Sequence, residues 1–193
     1  MHGGMPAPDD VAGGDLTLAA RLFGVDQSII HRMDASRYVH DVLHTCLKEK
    51  LGGSLPSTLT SVQQFMLAQS GEQVGGLALR LGAVCYAPAI LALIEGEDVR
   101  ALAQKTTLFV MQDAAWGYGF LSPSGGVSTS QDLASAIQTA GIDCLWAWCA
   151  QQPKPVCLRV QAILPVQEQP VKLPLADPAA MVDTFVREHL CGE

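Results

Sequence analysis

Apolar and polar positions along the chain alternate in short stripes of helical period, cut by glycine and proline. The longest apolar stretch runs from Val74 to Ile94, carries a single charge at Arg80, and stops at the acidic turn Glu95-Gly96-Glu97-Asp98. A run of about 20 apolar residues is long enough to cross a bilayer, so this stretch decides between membrane span and buried core. It reads as core. A charge at membrane depth is expensive, and Pro88 together with Gly75, Gly76 and Gly82 interrupts a continuous helix. Two short buried helices meeting near Pro88 are predicted, in a compact protein whose middle is its core.

The flanking stripes supply the other elements. Residues 1–14 are rich in Gly and Pro and are predicted to be disordered. Asp15 suits the cap of a helix reaching Phe23 and closed by Gly24, and Asp26 suits the cap of a second reaching Met33. A third is predicted from Ser36 to Leu51, with Val39, Val42/Leu43, Cys46/Leu47 and Lys50 on successive turns and Gly52-Gly53 at its end. Pro56-Ser57 opens a fourth, with Leu59, Val62, Phe65/Met66 and Gln69 aligned and Gly71 as its stop. Beyond the core run, Asp98 is expected to cap a helix carrying Val99, Leu102, Thr106, Phe109/Val110, Asp113 and Trp116 on one stripe. A loop follows over 117–127. Ser128 with Gln131 forms a capping-box pattern for a helix ending at Gly141, where Ile137 and Ile142 suit a Schellman motif. Asp143 then caps a short helix from Cys144 to Gln151.

Residues 156–164 alternate like a strand, yet Pro155 and Pro165 bracket them like one short helix, and the pattern leaves both open. Residues 165–177 read as extended and Pro-rich. Asp177-Pro178 starts a last amphipathic helix with Met181/Val182, Phe185/Val186 and His189/Leu190 on one face. The expected fold is a mainly α, compact single-domain bundle of about seven to nine short helices over residues 15–193, with at most a minor strand element near 156–164.

Composition narrows the partners. Apolar residues make up 49% of the 193 and charged residues only 16%, so part of the surface is expected to be apolar and covered by a partner. The net charge is −7, and the 12 basic residues are scattered. No basic cluster is present to meet phosphates or anionic lipid, which argues against nucleic acid and against membrane insertion. Six cysteines lie within apolar runs, with no Cys-x-x-Cys pair, as suits free thiols in a reducing compartment. The first residues lack the basic and apolar regions of a signal peptide, so a cytoplasmic location is expected.

The sharpest chemical pattern is His40-Asp41-Val42-Leu43-His44. Histidines four apart on a helix share a face and can both ligate zinc. The metalloprotease pattern places Glu after the first His as general base; here Asp41 stands there, one methylene shorter. No Gly-x-x-His follows, and nothing in the spacing recommends His189 or Cys46 as a third ligand. The expectation is therefore no metal and no catalysis at this pair, the rival being a zinc hydrolase with His40 and His44 as ligands and Asp41 as base. Asp113 lies on an otherwise apolar stripe, where a carboxylate is either a functional acid or base or, more often, a cap for a neighbouring helix or the partner of an Arg. Arg80 has the same two readings, and a structural pair of the two would satisfy both. Ser124-Gly125-Gly126 reads as turn chemistry, and neither a phosphate loop nor a nucleophile elbow occurs. Trp146 and Trp148, two apart, point to different sides of a helix. The outward one, with Trp116, is expected to form a contact surface for a partner. The rival is cover by the Pro-rich tail or the last helix.

Several segments in order resemble a known family. They are Ser36-Arg37-Tyr38-Val39-His40, Leu79-Arg80-Leu81-Gly82-Ala83, Pro88-Ala89-Ile90, Glu97-Asp98-Val99-Arg100-Ala101-Leu102, Gly141-Ile142-Asp143-Cys144-Leu145-Trp146-Ala147-Trp148, and the stretch from Arg159 to Pro165. In order and texture they resemble the type III secretion sorting-platform accessory proteins (the YscK, OrgA and MxiK type). The resemblance implies a cytoplasmic, non-enzymatic adaptor without a cofactor. It would join the inner-membrane ring protein's cytoplasmic domain to the pod protein of the platform that carries the export ATPase. The Gly-rich acidic start and the Pro-rich stretch after Pro165 depart from the pattern. A small secretion chaperone is the alternative among binding proteins.

Overall fold

A computed structural model describes residues 12–121, 132–166 and 170–191. Among these residues it holds eleven α-helices, and the β structure among them is one isolated bridge between Leu121 and Leu175. The fold is mainly α, as expected. The helices gather into two compact units, residues 1–56 and 57–193, where the sequence reads as one body from residue 15.

The first unit contains α1 (Ala12–Phe23), α2 (Gln27–Asp34) and α3 (His40–Lys50). α1 already includes residues 12–14, which were expected to be disordered, so Asp15 lies inside its first turn rather than at its cap; the rest of that expectation concerns residues 1–11, outside the described residues. α1 closes as anticipated at Gly24, which takes φ +64°. The Gly24 N–H donates to the Arg21 carbonyl and the Val25 N–H to the Ala20 carbonyl, the bond pair of a Schellman motif. Asp26 caps α2 by accepting from the Ser28 N–H at 2.8 Å. α3 starts at His40 and not at Ser36, because residues 36–39 form a separate turn whose Ser36 carbonyl accepts from the N–H groups of Val39 and His40. Leu16, Ala19, Ile30, Leu43 and Leu47 form the core of this unit, with Leu22, Phe23 and Met33 packed against it. Val42 and Cys46, which the sequence placed on the apolar stripe of α3, are exposed.

The second unit contains α4 (Ser61–Leu67), α5 (Gly71–Cys85), α6 (Ala87–Leu91), α7 (Gly96–Lys105), α8 (Val110–Gly117), α9 (Leu133–Ala150), α10 (Lys154–Gln161) and α11 (Pro178–Val186). α11 runs on into a π-helical turn, Arg187–Cys191. The core run behaves as anticipated: α5 and α6 meet at Tyr86, with Pro88 in the first turn of α6, where a missing N–H costs nothing. None of the described helices is long and apolar enough to cross a membrane.

Boundaries differ from the sequence reading where a local signal competed with a stripe. α4 begins at Ser61 behind a capping box of Thr60 and Gln63, not at Pro56-Ser57. Gly71 opens α5 instead of stopping a helix, because Ser70 and Gln73 form a second capping box there. Asp98 sits in the first turn of α7, whose cap residue is Glu95. The single stripe expected from Val99 to Trp116 is two helices, broken at Thr106, whose φ of −122° and ψ of −97° leave the helical region. Residues 154–161 are helix and not strand. The capping-box residues Ser128 and Gln131 lie outside the described residues.

The largest difference is at Gly141. No helix ends there and Asp143 starts none: α9 is continuous for 18 residues. Gly141 and Gly82 lie where α9 and α5 cross. A Cβ on Gly82 would fall 1.8 Å from the Ile137 carbonyl oxygen, and one on Gly141 would fall 1.7 Å from the Ala78 carbonyl oxygen. These glycines are absent side chains that let two backbones touch, a use of Gly that a periodicity argument reads as a stop. Asp143, buried within α9, accepts the Val171 N–H at 2.6 Å and so anchors the extended tail. The last helix starts as expected, with Asp177 accepting from the Ala180 N–H and Pro178 in the first turn.

Candidate functional site

In the second unit Arg80, Asp113, Asp143 and Asp183 are each bound to a structural partner, while His189 Nδ1 is buried without a hydrogen bond among the described residues. Arg80 on α5 donates from Nε and Nη2 to the two carboxylate oxygens of Asp113 on α8, at 2.9 and 2.8 Å. Asp113 is fully buried and the Arg80 side chain is 17% exposed, so the fork-to-fork pairing supplies a compensation that a lone buried charge would lack. Phe109 and Phe185 lie against the guanidinium, their ring centres 5.0 and 4.9 Å from its carbon. The pairing that the sequence suggested for Asp113 is present, and it clasps α5, α8 and α11 together.

The three tryptophans are each held within the chain. Trp148 is fully buried and donates from its indole N–H to Asp183 of α11 at 2.8 Å. It has no surface to offer a partner, which removes it from the expected contact surface. Trp146 is the outward one of the pair, half-buried, and donates to the Pro165 carbonyl at 3.2 Å. That carbonyl belongs to the first residue of the Pro-rich tail, the segment that the rival account named. Trp116 donates to Glu188 at 2.9 Å, stacks on Phe120 and meets Phe185 and His189 edge-on. His189 in turn stacks on Phe185 at 4.7 Å, so its ring is a packing element.

Large apolar side chains stand exposed elsewhere in this unit. Ile94, just before α7, is 95% exposed, Leu108, just after it, is 87% exposed, and the neighbouring Phe109 is 52% exposed. Sequence reasoning did not single these out, because it counted Ile94 into the core run and passed over Leu108 beside the stripe.

The first unit holds the other cluster. His40 is the first residue of α3 and His44 lies one turn on, so their rings come within 4.3 Å, centre to centre. Asp34, the last residue of α2, faces both. Its Oδ1 is 2.7 Å from His44 Nε2 and 3.1 Å from His40 Nδ1. His40 Nδ1 also lies 2.9 Å from the Asp34 main-chain carbonyl. The hydrogen bond from His44 holds the Asp34 carboxyl below its usual range against the opposing effect of burial, helped by the charges of both histidines. Asp34 went unnoticed in the sequence because it stands six and ten residues before its partners, across a turn, where no helical period connects them. Asp41 and Cys46 on α3 are both exposed and are not part of the cluster.

Searches against protein-family models, curated proteins and solved structures return no match to this chain.

Proposed function

We propose that this chain is a non-enzymatic adaptor of a type III secretion sorting platform, joining the inner-membrane ring's cytoplasmic domain to the pod protein. The resemblance of residues 36–165 in segment order supplies the family. The observation that carries the reading is the distribution of polar and apolar groups in the second unit. Arg80, Asp113, Asp143 and Asp183 are bound to helices or to the tail, while Ile94 and Leu108 stand in solvent at the two ends of α7. Catalysis needs polar groups aimed at a cleft; partner binding needs exposed apolar anchors with a polar surround.

Co-purification is the test. The full chain is incubated with the cytoplasmic domain of the ring protein and with the pod protein, separately and together. An adaptor captures both at once. A chaperone captures neither and instead holds a secreted protein, which overturns the proposal. Ile94→Asp with Leu108→Asp is expected to weaken capture by about 30-fold or more, equivalent to about 2 kcal/mol at an anchor. The thermal midpoint should not move, since both side chains are already in water.

A further inference from the structure

We propose that Asp34, His40 and His44 form a binding site for one divalent transition-metal ion of the zinc class. The sequence alone supplies the histidine pair and no third ligand; the fold supplies Asp34 from the preceding helix. The three ligand atoms, one from each residue, all lie within 4.8 Å of one another. A tetrahedral zinc with bonds near 2.0–2.1 Å sets its ligands roughly 3.3 Å apart. The present separations of 2.7 and 3.1 Å from Asp34 Oδ1 fall short of that value by less than an ångström, and the two ring nitrogens lie within 4.8 Å of each other.

The donor chemistry is that of zinc sites: two imidazole nitrogens and one carboxylate oxygen. The ring nitrogens that face Asp34 are Nδ1 of His40 and Nε2 of His44. On binding, each gives its lone pair from that nitrogen and carries its proton on the other. The carboxylate then exchanges two hydrogen bonds for one metal bond. The same hydrogen bonds orient both rings in advance, which reduces the ordering that a ligand set must undergo. Side-chain exposures of 46%, 36% and 28% for His40, His44 and Asp34 leave the ion an open approach and a fourth position for water. Nitrogen donors disfavour magnesium and calcium, which take oxygen. The ion would tie the end of α2 to the first turns of α3 across the turn 35–39. Its role would be to stabilise the first unit, as any ligand of the folded state does.

The test uses the full chain, reduced and stripped with chelator, titrated with Zn2+ by calorimetry and with Co2+ by visible absorption. The expected result is one ion per chain, a Co2+ spectrum without a thiolate charge-transfer band, and no response to Mg2+. His40→Ala, His44→Ala and Asp34→Asn should each weaken binding at least about 10-fold, the loss that even a supporting partner's removal brings. Cys46→Ser should bind as the parent does. The proposal is overturned by the absence of saturable binding, by histidine variants that bind like the parent, or by binding that disappears in Cys46→Ser. Circular dichroism without metal establishes that each variant is folded. For a variant that fails this control, imidazole NMR of the parent decides: Zn2+ must shift the signals of His40 and His44, and an unmoved pair overturns the site.

Discussion

The α5–α9 crossing and the α2–α3 turn join helices by opposite means. At the crossing, glycines bring backbone against backbone, and buried Cys85 and Cys144 lie 3.5 Å apart, sulfur to sulfur. At the turn, three side chains with titratable groups share one oxygen in partial contact with water. The first arrangement is a dense seam with no room to adjust; the second is polar and open to water. Tight packing transmits any added volume as strain, whereas a half-exposed hydrogen-bonded cluster tolerates change at little cost. Rigid backbone packing and exposed titratable groups therefore lie in different parts of this chain, and each part breaks differently.

The largest effect is expected at the crossing. Gly82→Ala and Gly141→Ala each drive a methyl group into a carbonyl oxygen of the facing helix. Neither neighbour is a flexible side-chain end, so the helices must separate. Overpacking costs about 1–3 kcal/mol in ordinary cases and more in severe ones; a backbone collision belongs with the latter, on the order of 5 kcal/mol. Urea midpoints measure it. The control is Gly75→Ala in the same helix, where an added Cβ meets nothing within 4 Å. There the better helix propensity of alanine should stabilise by roughly 0.5–1 kcal/mol. A Gly82→Ala protein as stable as Gly75→Ala would show that the seam can open and that the contrast drawn here is wrong.

Next in size is the buried ion pair. Removing one member leaves the other charge unpaired in the interior, which costs about 3–5 kcal/mol. Arg80→Ala should destabilise by about 3 kcal/mol, toward the low end, because the Arg80 side chain retains 17% exposure. Asp113→Ala leaves a cation between two aromatic rings, which relieves part of its cost. The double variant should recover part of the sum, and a double-mutant cycle on denaturant midpoints reads the coupling. Simple additivity of the two losses would mean that the pair acts as two independent residues.

These two sites differ in how well the sequence revealed them. Arg80 and Asp113 were legible because a lone charge in an apolar run and a lone carboxylate on an apolar stripe each demand a partner, and pairing them satisfies both. The caps at Asp26 and Asp177 and the stop at Gly24 were legible for the same local reason: capping chemistry is complete within five residues. Gly82 and Gly141 were not, since their role depends on two helices that only the tertiary fold brings together, and sequence equates glycine with termination. Asp34 was hidden for a related reason. A histidine pair four apart announces itself through helical period, but a ligand across a turn has no period. Of the tryptophans, spacing foretold that Trp146 and Trp148 would divide between outside and inside. It could not say that Pro165 would reach Trp146, because that contact depends on where the tail is anchored by Asp143.

The smallest perturbation is chemical labelling of the thiols, which reads the same contrast. Cys46 on α3 is exposed, while Cys85, Cys144 and Cys149 of the second unit are buried. Burial pushes the Cys149 thiol up to about 12. Cys144 is also raised, first by its contact with Cys85 and then by burial. Alkylation requires thiolate, and a thiol titrating near 12 is ionised to roughly one part in ten thousand at pH 8. It is also sterically closed until the helices part. With iodoacetamide under native conditions, mass spectrometry should find Cys46 modified first, Cys157 and Cys191 at intermediate exposure following, and the three core thiols only at the rate of opening of the second unit. In Gly82→Ala the core thiols should label much faster, while Cys46, already in water, should keep its rate. Core thiols that label in Gly82→Ala no faster than in the parent would show that the seam is not what closes them, and the contrast would fail.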